Sequence, residues 1–472
     1  MKTYDVIVIG SGGGAKIVSP AARLGLKVAV IEKDKLGGTC LNRGCIPSKM
    51  LIHPADVAEQ IRHAGKFDIR NDTNFSVHFG KLIERISNTV DHDSQSIVNG
   101  YSRNPNIDCY HDKAEFVSNK VVRVGSDELT AEKIFIAVGA RPAVPNIPGL
   151  NGTPFMTSTE ALRNTTLPKR LIVIGGGYIA CELGHAYGGL GSEVHFVVRS
   201  CFLRSEDRDI RQEFTRVFSQ KYRVHMECLP TKLEYEAGIF TLSMKDATGK
   251  EEKLAADALL VAGGITPNND TLKLENTDIQ LTPGGFIKVN DRLCTSVEGI
   301  YAMGDCVGNF FFRHSVNFEG EYLFRSVFEQ KSNEPIRYPP VPHAIFTSPQ
   351  VAGVGPTEQQ LIDEGIDYVV GVNTYEKSAM GMALLSDHGF CKLLIHRKSR
   401  RILGCHIIGE QASNLIHMVI ALMTKDGTLD DMLNMIYIHP ALAEIVRNAA
   451  RKAKAVLDEQ NQSVSNTVKS TV

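Results

Sequence analysis

Short apolar runs separated by glycine turns set the rhythm of the chain. Residues 4–9, Tyr-Asp-Val-Ile-Val-Ile, read as a buried parallel strand. Glycines crowd positions 10–14, a helix-like stretch Ala21-Ala22-Arg23-Leu24-Gly25 follows, and a second apolar run at 28–31 ends on Glu32. The same order returns later: an apolar run at 171–174, glycines at 175–177, a helix-like stretch, and a strand at 194–198. Helices are predicted over 51–65 and 79–98, and strands with turns over 108–138. From 341 onward strands (389–396, 402–408) precede helices (412–424, 429–435), the order of a separate α+β unit. Beyond Lys454 the chain is polar and reads as a loose tail.

Strand, glycine turn, helix, strand and acid together make a dinucleotide-binding fingerprint. Gly10 and Gly12 permit a tight turn and the approach of a diphosphate to a helix N-terminus, Ala15 fills the third small position, and Glu32 accepts a ribose hydroxyl pair. Gly13 and Gly14 exceed what the pattern needs, and Lys16 lies near the anion. The second fingerprint carries Gly175, Gly177 and Ala180 at the same spacing, so two dinucleotides are expected. There Val198 stands where Glu32 stood, with Arg199 and Arg204 following. No carboxylate remains to repel a 2′-phosphate, and guanidinium groups suit one, which favours NADPH over NADH.

Composition adds exclusions. At 472 residues the chain is too long for one core, and a net charge of −1 gives no global field for nucleic acid or a membrane surface. No apolar stretch is long enough to span a bilayer, and no cleavable signal pattern appears. Ten cysteines with only one close pair suggest a reducing compartment, taken as the cytoplasm.

That pair is Cys40 and Cys45, in Cys40-Leu41-Asn42-Arg43-Gly44-Cys45-Ile46-Pro47-Ser48-Lys49. In a regular helix residues five apart are turned by about 140° and lie about 7.5 Å apart along the axis. Their Cα atoms would then exceed the roughly 7 Å limit for a disulfide. If the two bond, the segment is distorted or only partly helical. Two nearby cysteines can also be small buried hydrophobes or half of a metal site. No second Cys or His pair at finger spacing follows, so no metal is expected. A thiol just ahead of a helix start feels its positive end, which favours thiolate. Arg43 and Lys49 are the only basic groups beside the pair in sequence. Near the end, His439-Pro440 precedes a helix expected to begin near Pro440, with Glu444 one turn in and able to reach the imidazole.

The redox segment, two fingerprints and final His-Pro-x-x-x-Glu resemble the flavoprotein disulfide reductases, over residues of about 4 to 452. The resemblance implies an α/β protein with two Rossmann-like domains, for FAD and NAD(P)H, and a C-terminal α+β dimerisation domain. The boundaries read as 1–155 and 285–340 for FAD, 156–284 for NAD(P)H, 341–455 for dimerisation and 456–472 for the tail. It implies FAD contacts from Gly10, Gly12, Ala15, Glu32, Lys33, Thr39, Ala137, Gly139 and Asp305. NAD(P)H contacts would come from Gly175, Gly177, Ala180, Arg199, Arg204 and Gly264. Ile265, where the family usually has arginine, is a departure. Cys45 would be the flavin-proximal thiol, Cys40 the interchange thiol, Lys49 and Glu182 an ion pair near the flavin. His439, oriented by Glu444, would come from the second subunit of a homodimer and supply protons.

The redox segment is most like that of dihydrolipoamide dehydrogenase. Mycothione reductase, which is NADPH-linked, accommodates the arginines as well, and glutathione reductase ranks third. Mercuric reductase is disfavoured by the lack of paired cysteines near residue 472. A reading from another class, a flavin-bearing redox sensor without turnover, would need a lost thiol or a lost His–Glu dyad.

Overall fold

A computed structural model describes residues 1–70, 75–329 and 334–470, with side chains as far as Glu459. The first sheet contains β1 (Lys2–Ile9), β2 (Val28–Ile31), β3 (Ile107–Tyr110), β4 (Ala114–Ser118), β5 (Val121–Val124) and β6 (Asp127–Ile136). Its order is β3-β2-β1-β6-β5-β4. β1 runs parallel to β2 and β6. Val6, Ile7 and Val8 are fully buried, since helices cover one face and other strands the second; that is why β1 is an unbroken apolar run. Around this sheet lie α1 (Ala15–Arg23), α2 (Gly38–Arg43), α3 (Cys45–Arg62) and α4 (Phe79–Ser102). α3 begins six residues before the predicted 51, because Pro47 sits in its first turn, where the missing N–H costs nothing.

The second sheet is parallel, ordered β9-β8-β7-β10 from β7 (Arg170–Ile174), β8 (Glu193–Val198), β9 (Arg223–Met226) and β10 (Ala258–Val261). α5 (Tyr178–Leu190) and α6 (Arg208–Lys221) follow β7 and β8. α5 is buried nearly all round and packs on α3, so the second nucleotide unit sits directly against the helix that carries Cys45. The chain then returns to the first sheet: β11 (Ile300–Ala302) pairs in parallel with β6 and leads to α7 (Arg313–Val327).

The last unit is an antiparallel sheet, β12-β13-β16-β15-β14, made of β12 (His343–Ile345), β13 (Gln350–Val354), β14 (Tyr368–Thr374), β15 (Phe390–His396) and β16 (Ile402–Gly409). α8 (Ala412–Met423) and α9 (Ala443–Ser470) pack on it. Here the expectation of a loose tail over 456–472 is corrected. Ala449, Ala450, Ala453 and Leu457 form a buried stripe that anchors α9, and the polar residues beyond continue it as helix. Residues 471 and 472 lie outside the described residues.

Candidate active site

The two cysteines lie on separate helices. α2 stops at Gly44, whose φ of −145° and ψ of −115° break the turn, and α3 starts afresh at Cys45. A side chain at Gly44 would meet the Thr39 carbonyl oxygen at 3.0 Å, so the break needs a bare backbone there. The segment is thus distorted, as the spacing required for approach. Both thiols are free. The neighbouring Cys40 thiol lowers the Cys45 thiol to about 7 against the pull of burial, with the Lys49 ammonium helping. Cys40 is pushed far up, by the neighbouring Cys45 and by burial. The two sulfurs have divided roles: thiolate at Cys45, proton holder at Cys40.

One turn beyond Cys45, Lys49 Nζ lies 2.8 Å from Glu182 Oε2, joining α3 to α5. Glu182 is 5% exposed, and its other oxygen accepts the Phe346 N–H at 3.0 Å. The ammonium also lies 4.4 Å from the Phe346 ring centroid. Two residues 133 positions apart meet as expected.

Cys40, Cys45, Lys49 and Glu182 line one cavity of about 1450 Å³ that runs on to the first fingerprint. Gly10 turns at φ +100°, and a Cβ on it would strike the Ala137 carbonyl oxygen at 2.3 Å. Gly14 has no room for a side chain either. A Cβ on Gly14 would lie 2.2 Å from Gly10 O and 2.5 Å from Val8, whereas Ala15 is half-exposed and does not line the cavity. That close approach accounts for one of the surplus glycines. Gly13 is the other: its Cβ would meet Val316 of α7 at 2.5 Å. Lys16 faces away from the anion and pairs with Glu321 at 2.7 Å. Glu32 accepts from the Ser11 N–H and hydroxyl at 3.0 and 2.8 Å and from the Asp34 N–H at 3.1 Å, with its carboxylate on the cavity wall.

Lys33, Thr39, Ala137, Gly139 and Asp305 line the same space. Asp305 makes no hydrogen bond or ion pair among the described residues, and burial raises its carboxyl to about 6. A bare glycine cradle, a carboxylate at ribose distance in the fingerprint and an unpartnered acid suited to hydroxyl donors fit a flavin dinucleotide.

In the second fingerprint, Gly175 turns at φ +139° and its Cβ position is 3.3 Å from the Ala180 methyl, so alanine just fits. Gly177 is open, and Gly264 accepts the Ala143 N–H at 2.9 Å. β8 ends at Val198; Arg199 and Arg204 are exposed, with no ion pair among the described residues.

His439 Nδ1 lies 3.0 and 3.1 Å from the two Glu444 oxygens. α9 begins at Ala443, three residues later than Pro440, so Glu444 is its second residue. Burial pushes the Glu444 carboxyl up, but the Ala441 N–H, His439 and Arg447 outweigh it and hold it low. His439 is 70% exposed and does not line the cavity of its own chain. The structure forms the dyad and does not bring it to the cysteines. Three groups absent from the sequence reading share the cavity: His53, Tyr178 and the His314–Phe312–His343 stack. These rings share the cavity with Cys40 and Cys45, which the sequence reading did not anticipate. His53 could have been found, since Cys45, Lys49 and His53 recur every four residues on one helix face.

Residues 4–327 match the family described as pyridine nucleotide-disulphide oxidoreductase, and 341–450 match its dimerisation domain. The chain belongs to that family. It is similar to mycothione reductase of Mycobacterium tuberculosis, 34% identical over 462 residues, 95% of this chain and 99% of the relative. Dihydrolipoyl dehydrogenase of Bacillus subtilis is 32% identical over 458 residues, 95% and 96% of the two chains. Among solved structures, the HOCl-induced flavoprotein disulfide reductase RclA of Escherichia coli superposes with a TM-score of 0.84 at 27% identity, covering 95% and 99%. The protein is thus an oxidoreductase of this class, an enzyme that uses FAD and a pyridine nucleotide. No helix among the described residues is long and apolar enough to cross a membrane, and no group of three or more His, Cys, Asp or Glu side chains there could hold a metal ion.

Proposed function

We propose that the enzyme passes electrons between NADPH, FAD, the Cys40–Cys45 pair and a small disulfide or dithiol of the dihydrolipoamide type. The observation that carries this is Cys45: a thiol lowered to about 7, at the first residue of α3, one turn from the Lys49–Glu182 pair and inside the dinucleotide cavity. When bound, FAD supplies hydride acceptance from the nicotinamide and two-electron exchange with a disulfide. Gly10 and Gly12 hold its diphosphate, Glu32 its ribose, and Asp305 its hydroxyl-bearing chain.

In the reduced pair, Cys40 loses its proton to a base as its sulfur attacks the substrate disulfide, forming a mixed disulfide and releasing one thiolate. Cys45 thiolate then attacks Cys40 sulfur, closes the Cys40–Cys45 disulfide and expels the second substrate thiolate. Each departing sulfur takes a proton, and His439 with Glu444 is the group suited to move it. Because His439 stands away from its own cavity, it serves the pair of a second copy, in a homodimer. Exposed Met435, Ile436 and Ile438 beside it and the dimerisation-domain match support that assembly. Ten free cysteines support a cytoplasmic location.

Exposed, unpaired Arg199 and Arg204 after Val198 support NADPH, and with it a second substrate reading, reduction of mycothione; glutathione disulfide ranks behind. Steady-state turnover of NADH and NADPH against lipoamide, mycothione and glutathione disulfide tests both. Activity with one disulfide, faster with NADPH, is expected. An FAD-loaded protein that oxidises neither nucleotide with any of the three would overturn the proposal and favour a flavin-bearing sensor.

A further inference from the structure

Three arginines line the cavity, and two of them are spoken for. Arg43 reaches Asp34 at 2.9 Å, and Arg141 reaches Asp270 at 2.6 Å. Arg313, the first residue of α7, makes no hydrogen bond or salt bridge among the described residues although it is half-buried. Its guanidinium hangs over the first fingerprint: Nη1 lies 3.8 Å from the position a Cβ on Gly12 would take. Gly12 is the glycine at which backbone and diphosphate approach most closely. The lysine that the sequence puts nearest, Lys16, is already engaged by Glu321 at 2.7 Å. Gly38 also presses on this spot, since its Cβ would sit 2.5 Å from Gly12 Cα, so the segment leading to Cys40 is a third wall. A guanidinium offers five donors and no acceptor, and here no described side chain or carbonyl takes one of them, which leaves them to a ligand in the cavity.

We infer that Arg313 is a further cofactor-binding residue that clamps the diphosphate of FAD from the α7 side, opposite the Gly10–Gly14 turn. This rests on the reading of the first fingerprint as the FAD site. A glycine cradle alone meets a diphosphate with backbone N–H groups and a helix end; a bidentate guanidinium adds charge-assisted bonds that are shorter and about twice as strong. The same cation sits close enough to Cys40 for its field to oppose the upward shift of that thiol. Seating the diphosphate therefore draws on a charge that otherwise acts on the interchange sulfur.

Full-length protein freed of FAD is titrated with FAD by quenching of flavin fluorescence, and separately with ADP, which carries the diphosphate without the flavin. For Arg313→Met and Arg313→Gln the dissociation constants of both ligands should rise roughly 10- to 100-fold, and Arg313→Lys should recover part of the loss. Wild-type affinity for ADP should fall with salt more steeply than that of the Met variant. Unchanged ADP binding in the Met and Gln variants, even with FAD weakened, would overturn the inference and move the contact to the flavin ring. Should both neutral variants fail to fold, Arg313→Lys decides: affinity for ADP equal to wild type would overturn it. A wild-type protein that binds no FAD would fail the cofactor reading itself, a different outcome from either.

Discussion

At the scale of single residues, the chemistry turns on which of two sulfurs keeps its proton. Cys45 is lowered first by the neighbouring Cys40 thiol and then by Lys49, while burial and Glu182 work the other way. Since a thiol reacts as its thiolate, alkylation of the reduced protein by iodoacetamide should modify Cys45 with a midpoint near pH 7. Cys40 should stay protected well above that, because its shift runs upward. Removing that thiol in Cys40→Ala should raise the Cys45 midpoint by about one unit, and Lys49→Met should raise it in the same direction, since each deletes a stabiliser of the charged form. Peptide mass analysis across pH reads the midpoint. A Cys45 profile indifferent to both substitutions would mean that the thiolate is set by the α3 end alone.

At the scale of elements, the α/β rhythm, both glycine turns and the strand-then-helix order of the last third were legible, because buried parallel strands must be apolar throughout. The Lys49–Glu182 pair was legible only through resemblance; nothing local links positions 133 apart. The need for a bare Gly14 was not legible, because spacing counts residues while the crowding comes from the Gly10 carbonyl folding back on it. Arg313 and the His314–Phe312–His343 stack carry no motif at all: they reach the cavity shared with the cysteines only because α7 and β12 border it. The His439–Glu444 dyad was legible because both members lie at one helix start. Glu444, 4% exposed, also takes Arg447 at 2.6 Å, so it is the buried anchor and His439 the exposed member. His439→Ala should cut disulfide turnover by about 10²- to 10⁴-fold while leaving single-turnover oxidation of the pyridine nucleotide unchanged. Glu444→Gln should give a smaller loss in the same half-reaction, as the imidazole loses its orienting charge. Rapid-mixing kinetics of the two halves separate them; equal losses in both would place His439 outside proton transfer to the thiols.

At the scale of the whole molecule, a buried ammonium ties the second nucleotide unit to the C-terminal unit. Lys392 of β15 is fully buried, with Asp207 at 2.9 Å, Asp209 at 2.6 Å and Glu358 at 2.6 Å. Asp207 also caps α6 through the Asp209 N–H and accepts the Glu358 N–H at 3.0 Å. Beside it Glu206 holds His343 at 2.7 Å. Arg199 and Arg204 therefore stand on a loop whose far end is pinned to another unit. Burial pulls Lys392 down, but its three carboxylate partners outweigh that and raise it, so its charge supports the fold across the neutral range and is lost only as pH climbs past the raised value. Asp207 shifts the other way: burial pushes it up, Lys392 and the Glu358 N–H pull it further down, and its contribution is lost as pH falls through the lowered value. Lys392→Met keeps length and volume but strands three carboxylates around an apolar group, which should cost about 3–5 kcal/mol in denaturant unfolding at pH 7. The deficit has a sign with pH. Protonating the stranded acids relieves it, so the gap to wild type should narrow steadily as pH is lowered toward 4. The loop should suffer with that tie, raising the KM for NADPH more than it lowers kcat. A gap that stays constant from pH 8 to pH 4 would assign the loss to packing around Lys392 and not to its stranded carboxylates.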